Sequence, residues 1–278
     1  MKQVTDTEKF LFDIQGYLIL PGAIDKKLIE ELDCAVVENE AIDHDESWSH
    51  GLPIVTAQHF IKDENIENQV RLNGLPRLDP IFDQLIGHPS ILPYLKEFMG
   101  EPQLVNTWSI SKYAGRVASG WHHGLPTREY TADNGTIRSP MLNVVTMLTP
   151  NHSGDGCFIV IPGSHKKNFN LSPKWSVAGL ETPGAVEITG DPGDVMIFTE
   201  ALTHAAAAKT TTRRRTTLQY NHLHRDRACI MWDSHNVRHY WMPPSVRSRF
   251  NSAQKSLTRW MDYTIPERSI PVADKIND

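Results

Sequence analysis

The sequence contains few cysteines and no long apolar run. Its 278 residues include three cysteines, Cys34, Cys157 and Cys229, which lie far apart and show no paired spacing. This scarcity argues against a disulfide framework or a zinc–thiolate site and predicts a cytoplasmic protein. No apolar stretch approaches the roughly 20 residues of a membrane span. The polar N-terminal residues do not resemble a signal peptide.

An excess of positive charge is also missing. The formal net charge is −5, from 28 Lys and Arg against 33 Asp and Glu. The sequence therefore gives no general attraction to a nucleic acid polymer or to an anionic membrane. A small molecule is the expected partner, and the sequence does not indicate an oligomeric state. The one local basic block is Arg213-Arg214-Arg215.

Helix signals come first along the chain, and strand signals follow. Apolar spacing and caps predict helices at 6–15, after Asp25, at 79–86 and at 90–99, with a short strand at 17–20. The polar stretch 41–75 is interpreted as a long loop or lid. Six later runs are rich in strand-forming residues and are separated by turns: 103–113, 141–148, 157–161, 185–188, 195–198 and 216–223.

This order predicts an α+β, mainly β fold, in which N-terminal helices pack on one antiparallel jelly roll. No domain boundary is visible, so the chain is interpreted as a single domain, 1–278. It would comprise a helical part at 1–102, a jelly-roll core at about 103–225 and a C-terminal extension at 226–278. The extension is expected to contain one helix at 248–263.

The motif Trp121-His122-His123-Gly124 is a candidate metal site. Non-haem iron oxygenases bind the metal through two histidines and one carboxylate, and leave other positions open. Their first two ligands are commonly spaced His-x-Asp, because residues i and i+2 of an extended segment point the same way. Here His122 is followed at i+2 by Gly124, so the carboxylate position is empty. The nearest candidate acids for this position are Glu129, Asp133 and Asp155.

His204 is the candidate second histidine ligand. It follows His122 by 204 − 122 = 82 residues, a separation that a jelly roll can close. Shortly afterwards comes the arginine triplet, at the predicted start of a strand. A guanidinium fork matches a carboxylate in a bidentate manner. On a strand, Arg214 would face away from Arg213 and Arg215, so at least one arginine should point inward. Iron, two histidines and a buried arginine together indicate 2-oxoglutarate.

These residues resemble the phytanoyl-CoA dioxygenase family of iron(II)/2-oxoglutarate oxygenases. The most specific match is Pro162-Gly163-Ser164-His165-Lys166; the other matching segments are 121–124, 193–204 and 213–220. The resemblance implies a double-stranded β-helix, or cupin-like jelly roll, that uses Fe(II), 2-oxoglutarate and O2 to oxidise an unactivated C–H bond. It places iron on His122 and His204. It places 2-oxoglutarate on Arg213, with Arg215 as the alternative.

Gly124 departs from the family pattern, in which most members have Asp. Glycine at this position resembles the iron/2-oxoglutarate halogenases, in which chloride takes the vacated coordination site. The sequence therefore indicates a halogenase, with chloride bound beside Gly124. Two alternatives stay open: a hydroxylase with water at that site, and a non-catalytic binding protein on the same fold.

Further residues are predicted to line the site. Asn143 is a candidate for cofactor binding, and Trp108, Tyr130 and His222 are candidates for substrate binding. The aromatic side chains would equally well fill the core. His123 should face away from His122 on an extended segment and is interpreted as structural. His165, in a turn, is interpreted in the same way.

Overall fold

The computed structural model describes residues 3–42, 68–227 and 244–259. The helices are α1 (Asp6–Gln15), α2 (Lys26–Ala41), α3 (Leu75–Leu78), α4 (Leu92–Met99), α5 (Pro244–Arg247) and α6 (Ser252–Leu257). The strands are β1 (Tyr17–Leu20), β2 (Gln69–Asn73), β3 (Pro102–Lys112), β4 (Thr131–Asp133), β5 (Thr136–Arg138), β6 (Met141–Met147), β7 (Phe158–Val160), β8 (Val186–Ile188), β9 (Val195–Thr199), β10 (His204–Ala206) and β11 (Arg215–His224). None of the described helices is both long and apolar enough to cross a membrane.

Local signals fix the first elements. Thr5 caps α1 in a reciprocal capping box with Glu8, and Gly16 ends the helix in the left-handed conformation, with φ of 82°. This turn sends the chain directly into β1. Asp25 caps α2 by accepting a hydrogen bond from the backbone N–H of Leu28. The N-terminal segment thus supplies two helices and one edge strand.

The major sheet has six strands in the order β1-β9-β6-β11-β3-β2, and every neighbouring pair is antiparallel. Strand β11 lies near its centre and alternates its side chains between two faces. Leu218 and Tyr220 join the apolar cluster under the helices, whereas Gln219 and Asn221 point into a cavity on the other side. One face of β11 therefore packs in the apolar core, and the other lines the cavity.

The minor sheet has three strands in the order β10-β7-β8. An isolated antiparallel bridge between His122 and His204 adds a fourth segment beside β10. The cavity lies between the two sheets, because its lining comes from β3, β6 and β11 of one and from β7 and β10 of the other. This arrangement is the jelly roll expected from the sequence.

The helices cover the outer face of the major sheet. Phe12 of α1 stacks on Phe98 of α4 with ring centroids 3.9 Å apart, and α4 also packs against β3, β5 and β6. The apolar cluster that they form reaches Leu257 of α6. The cavity side thus stays free of helices among the described residues.

Three sequence-based expectations about elements were wrong in the described residues. The stretch 41–75 is not one loop, because Gln69–Asn73 pairs with β3 and Leu75–Leu78 is helical; residues 43–67 lie outside the described residues. The tail has two short helices instead of one, since Asn251 begins a new capping box; residues 260–263 are likewise outside. Strands β4, β5 and β10 were not predicted.

Candidate active site

The fold brings His122 and His204 side by side. Each donates its backbone N–H to the carbonyl of the other, at 3.0 and 2.9 Å. Residues paired directly across an antiparallel bridge point their side chains to the same face. The imidazole ring centroids are accordingly 4.3 Å apart. Both residues line the cavity, so the two predicted ligands meet as the sequence indicated.

Each imidazole is held through its Nδ1 atom. His122 Nδ1 lies 3.0 Å from the carbonyl of Gly120, and His204 Nδ1 lies 2.8 Å from that of Leu202. A carbonyl can only accept, so both Nδ1 atoms carry the proton and both Nε2 atoms are free as neutral ligands. Metal-binding histidines are commonly oriented in this way. Burial lowers the pKa of His204 to about 3, with a smaller contribution from His122, which keeps its ring neutral.

Glu200 is the acid nearest to these histidines. It follows the last residue of β9, four residues before His204, in the turn that takes the chain from the major to the minor sheet. Its Oε1 accepts a hydrogen bond from Asn143 Nδ2 at 3.2 Å, and its Oε2 lies 3.9 Å from His204 Nε2. Burial raises the pKa of Glu200 to about 7, opposed by hydrogen bonds from Asn143 and the backbone of Gly124.

Gly124 lies directly against this carboxylate. Its backbone N–H donates to the Glu200 carbonyl at 2.7 Å. A Cβ atom added at Gly124 would lie 2.7 Å from Glu200 Oε2 and 3.3 Å from its Cδ. A side chain at position 124 and the present conformation of Glu200 therefore exclude each other.

Arg215 is the arginine that reaches the cavity. It is 2% exposed, its Nε donates to Asn151 Oδ1 at 2.5 Å, and its guanidinium lies 5.4 Å from the centroid of the Phe158 ring. Among the described residues, its two terminal nitrogens have no hydrogen-bond partner. Burial lowers the pKa of Arg215 to about 10. Lys112, also buried and lining the cavity, donates to the Gly156 carbonyl.

Arg213, the first choice for the 2-oxoglutarate arginine, does not line the cavity. Its side chain is 53% exposed and pairs with Asp155 at 2.8 Å, outside the cavity. Strand β11 begins only at Arg215, so Arg213 does not share a strand face with it. Arg214 points away, as expected, and pairs with Asp33.

The cavity has a volume of about 460 Å³, and its lining combines apolar surface with charged and polar side chains. The described lining residues include four cations, Arg71, Lys112, Arg116 and Arg215, against one carboxylate, Glu200. Several buried polar atoms of lining side chains have no hydrogen-bond partner among the described residues: Trp108 Nε1, Asn143 Oδ1, Gln219 Nε2 and Asn221 Oδ1. Such atoms are normally paired, so this lining suits a polar ligand.

Two of the three predicted substrate contacts lie outside the cavity. Tyr130 donates to Asp13 and packs edge-on against His165, because the intervening turn returns it to α1. His222 is buried on β11 with Nδ1 against the Tyr220 carbonyl, one residue past a register shift. Trp108 does line the cavity, with the Arg71 guanidinium 4.6 Å from its ring centroid.

None of the acids considered from the sequence reaches the histidines. Asp155 is buried but paired with Arg213 and Lys209, Glu129 pairs with Arg227, and Asp133 lies in the exposed β4–β5 hairpin. Glu200 was missed, although it stands four residues before His204. Its proximity to Gly124 is a tertiary contact that no local pattern shows.

The residues present fit a metal with one adjustment. Two neutral imidazoles with free Nε2 atoms and a nearby carboxylate are the donors that a 2-His-1-carboxylate iron site uses. In the described part of the chain, no three His, Cys, Asp or Glu side chains already stand at metal-binding distances from one another. Binding would therefore require a small side-chain rotation, which the unpaired Glu200 Oε2 permits.

Comparison with known proteins decides the family. A sequence profile described as phytanoyl-CoA dioxygenase (PhyH) matches residues 12–217, most of the chain. The chain belongs to this family. Ectoine dioxygenase of Streptomyces avermitilis is 23% identical over 210 residues, which cover 70% of this chain and 67% of that protein. Family membership makes the protein an Fe(II)/2-oxoglutarate-dependent enzyme, as predicted.

Solved structures confirm the fold. HygX from Streptomyces hygroscopicus, with nickel and 2-oxoglutarate bound, matches with a TM-score of 0.65 and 20% identity, covering 79% of this chain and 87% of HygX. The epimerase SnoN, in complex with Fe3+, alpha-ketoglutarate and nogalamycin RO, matches with a TM-score of 0.58 and 17% identity, covering 77% and 81% of the two chains. At these identities the likeness shows the jelly-roll fold alone.

Proposed function

We propose that the protein binds Fe(II) through His122 and His204 and 2-oxoglutarate through Arg215, and that it oxidises a C–H bond of a small polar molecule. The observation that carries this proposal is the meeting of two imidazoles, each with a free Nε2, in one cavity with the buried guanidinium of Arg215, whose two terminal nitrogens have no hydrogen-bond partner among the described residues. Neutral nitrogen ligands suit iron, and the guanidinium fork suits a carboxylate.

When bound, iron with 2-oxoglutarate and O2 supplies an oxidant that can attack an unactivated C–H bond. The residues of the chain bind and orient the iron, the cosubstrate and the substrate, and they shield the reacting groups. The Gly120 and Leu202 carbonyls fix the two imidazole rings. Arg215 neutralises the distal carboxylate of the cosubstrate, and the buried Lys112 amine, whose pKa burial and the charge of Arg215 lower well below its ordinary value, is a further hydrogen-bond donor in the cavity.

The lining points to a substrate that is polar or anionic. Four cations face one carboxylate among the described lining residues, and 2-oxoglutarate accounts for two negative charges. The unpaired atoms of Trp108, Gln219 and Asn221 would be satisfied by a ligand that carries donors and acceptors. Two relatives support a small molecule, since one is an ectoine dioxygenase and HygX has been solved with hygromycin B bound.

Halogenation is the second candidate, and Gly124 alone favours it. A glycine there removes the family carboxylate and would leave room for chloride. However, the Glu200 carboxylate lies 2.7 Å from the Cβ position of residue 124, in the space where a halide would bind. We therefore favour oxygenation. A non-catalytic binding protein, the third alternative, would show no uncoupled conversion of 2-oxoglutarate to succinate.

The cytoplasm is the compartment that we propose. Cys34 and Cys157, the two cysteines in the described residues, are free thiols, and thiols stay reduced in that compartment. Burial raises the pKa of Cys157 to about 11, so this thiol is protonated and unreactive at neutral pH. Neither cysteine needs an oxidising environment for the fold.

The test replaces the histidines one at a time. His122→Ala and His204→Ala should each abolish Fe(II)-dependent formation of succinate and weaken iron binding by more than the roughly 10–100-fold that loss of an outer partner costs. His152→Ala is the matched control, since its ring lies outside the cavity against Asp191. Unchanged iron affinity in His204→Ala, measured by titration of the folded variant, would refute the assignment.

A further inference from the structure

We propose that Glu200 supplies the carboxylate that position 124 lacks, so that His122, His204 and Glu200 together hold the metal. This inference rests on the proposed function, because it assumes that the two histidines bind iron. It concerns where the third protein ligand comes from, and therefore whether a halide can reach the metal.

The first argument is the shared space of positions 124 and 200. A Cβ atom built on Gly124 would meet Glu200 Oε2 at 2.7 Å, Glu200 Cβ at 3.2 Å and Glu200 Cδ at 3.3 Å. A side chain at position 124 would thus extend into the volume that the Glu200 side chain now fills. The carboxylate thus comes from the segment that contains Glu200 and His204, and not from the segment that contains His122 and Gly124.

Backbone hydrogen bonds fix this juxtaposition. The Glu200 carbonyl accepts from the N–H groups of Gly124, at 2.7 Å, and Leu125, at 3.1 Å, and the Glu200 N–H donates to the Met141 carbonyl. The same two segments are joined again at the His122–His204 bridge. Position 200 is therefore held relative to both histidines by main-chain contacts.

The second argument is the state of the carboxylate. Glu200 is only 6% exposed, and its one ionic contact among the described residues is His204, at 3.9 Å. No described lysine or arginine pairs with it. Buried carboxylates are normally paired with a cation or coordinate a metal. A divalent ion between Glu200 and the two free Nε2 atoms would supply the missing positive charge.

The third argument is that the two carboxylate oxygens of Glu200 have different contacts. Asn143 donates to Oε1 and is itself within 3.4 Å of Gln219 Oε1, which anchors that end of the carboxylate. Oε2 accepts no side-chain hydrogen bond among the described residues and is the oxygen nearest to His204 Nε2. Asn143 therefore acts as a positioning residue that aims Oε2 at the histidines.

A filled third position has a consequence for chloride. The carboxylate restores both the ligand and the negative charge that Gly124 removes, so neither steric space nor charge balance is left for a halide. Gly124 is then an adaptation to Glu200 and not evidence of halogenation.

The first test changes the charge of Glu200 while keeping its shape. Glu200→Gln retains an acceptor for Asn143 but cannot ligate as an anion, so Mn(II) affinity measured by calorimetry should fall by more than roughly 100-fold, beyond the loss of an outer partner. Glu187→Gln is the matched control, because Glu187 lies on β8 and outside the cavity. A Glu200→Gln variant that binds Mn(II) as tightly as the unaltered protein would overturn the proposal.

The second test moves the carboxylate back to position 124. Gly124→Asp alone should bind Mn(II) poorly, because its side chain collides with Glu200. Gly124→Asp combined with Glu200→Gly should recover most of the affinity that Glu200→Gly loses on its own. Additive losses in the double variant, with the fold retained by circular dichroism, would count against a shared carboxylate position.

A third measurement follows the halide with Co(II) as a spectroscopic probe. The visible spectrum of the Co(II) protein with 2-oxoglutarate should not respond to chloride, whereas that of Glu200→Gly should. A chloride response in the unaltered protein would contradict a filled site. A failure of the proposed function gives a different result from a failure of the Glu200 assignment. If the histidines do not bind the metal, His204→Ala will bind Mn(II) normally, whichever residue is at position 200.

Discussion

Arg215 is the residue that we propose binds the distal carboxylate of 2-oxoglutarate. Arg215 lines the cavity, and its terminal nitrogens have no hydrogen-bond partner among the described residues. Lys112 lies nearby: burial lowers the pKa of Lys112 most, and the positive charge of Arg215 lowers it further. No carboxylate forms an ion pair with Arg215 among the described residues, so a ligand carboxylate can take that place. This is the reason for the proposal that the distal carboxylate of 2-oxoglutarate binds here.

Replacing Arg215 should therefore weaken the binding of 2-oxoglutarate and not the binding of the metal. Arg215→Leu leaves the ligand carboxylate buried and unpaired, which costs about 2–5 kcal/mol, or roughly 30-fold to several thousand-fold in Kd. Arg215→Lys keeps the charge without the planar fork and should fall between. Arg214→Leu is the control, since Arg214 pairs with Asp33 on the far side of the strand. Equal 2-oxoglutarate affinities in Arg215→Leu and Arg214→Leu, by fluorescence or calorimetric titration, would contradict the assignment.

The meeting of His122 and His204 could be predicted from the sequence, whereas the position of Glu200 beside them could not. His122 and His204 stand in motifs whose spacing carries chemistry, so their meeting could be predicted once a jelly roll was expected. Glu200 sits 200 − 124 = 76 residues from the glycine that it opposes, and only the folded turn after β9 brings them together. The structure places Arg215 in the cavity, two residues after the first choice Arg213, and the first residue of a strand is the least certain part of its pattern.

At the scale of elements, Gly16 joins α1 to the rest of the molecule. Its φ of 82° ends the helix, and a Cβ atom there would lie 2.6 Å from His165 Nδ1. His165 in turn contacts the Asp13 carbonyl of the same helix at 2.9 Å. The Pro-Gly-Ser-His-Lys motif thus docks the first helix onto the jelly roll, which is the structural role expected of His165.

Two glycines allow the docking contact to be separated from backbone strain. Gly22 also has a positive φ, of 55°, but nothing lies within 4 Å of its Cβ position. Gly22→Ala should therefore lower the free energy of unfolding by about 1–2 kcal/mol, the cost of the left-handed conformation. Gly16→Ala should lose about 1–3 kcal/mol more from overpacking. Urea denaturation measures the free energy of unfolding of both variants. Equal losses would show that the His165 side chain moves aside without cost.

Element types were predicted well wherever burial gives a clear period. The strands at 103–113, 141–148, 195–198 and 216–223 correspond to β3, β6, β9 and β11 of the major sheet, because these carry long apolar or alternating runs. Strand β2 was missed because Gln69, Arg71 and Asn73 break the apolar pattern on an edge strand. Strand β10 was missed because three residues are too short for any period.

For the molecule as a whole, two buried histidines outside the cavity contribute to the pH dependence of stability. Burial lowers the pKa of both His165 and His222 to about 4, from an ordinary value near 6.5. Between these values the unfolded chain binds protons that the folded protein does not, so stability falls as the pH is lowered through this window. Each histidine contributes a slope of about 1.4 kcal/mol per pH unit.

The corresponding prediction is a shallower pH dependence in a variant without one of these rings. His165→Gln should lose roughly 1 kcal/mol less per pH unit than the unaltered protein between pH 6 and pH 4.5. Thermal or urea unfolding at several pH values gives the slope. His152→Gln serves as the comparison, because this ring is half exposed. Parallel curves for the His165→Gln and unaltered proteins would exclude the histidine as a source of acid sensitivity.

The edge position of β1 has a consequence for how the chain reaches its fold. Leu20 pairs with Val195 and Tyr17 with Phe198, so β1 is synthesised long before the strand that it pairs with. At about 5–20 residues per second, roughly 10–35 seconds pass between the synthesis of Tyr17 and that of Phe198. During this interval Leu18 and Leu20, buried in the finished protein, lack their partner strand. Closure of such a high-contact-order sheet is slow, and apolar side chains exposed in the meantime favour aggregation.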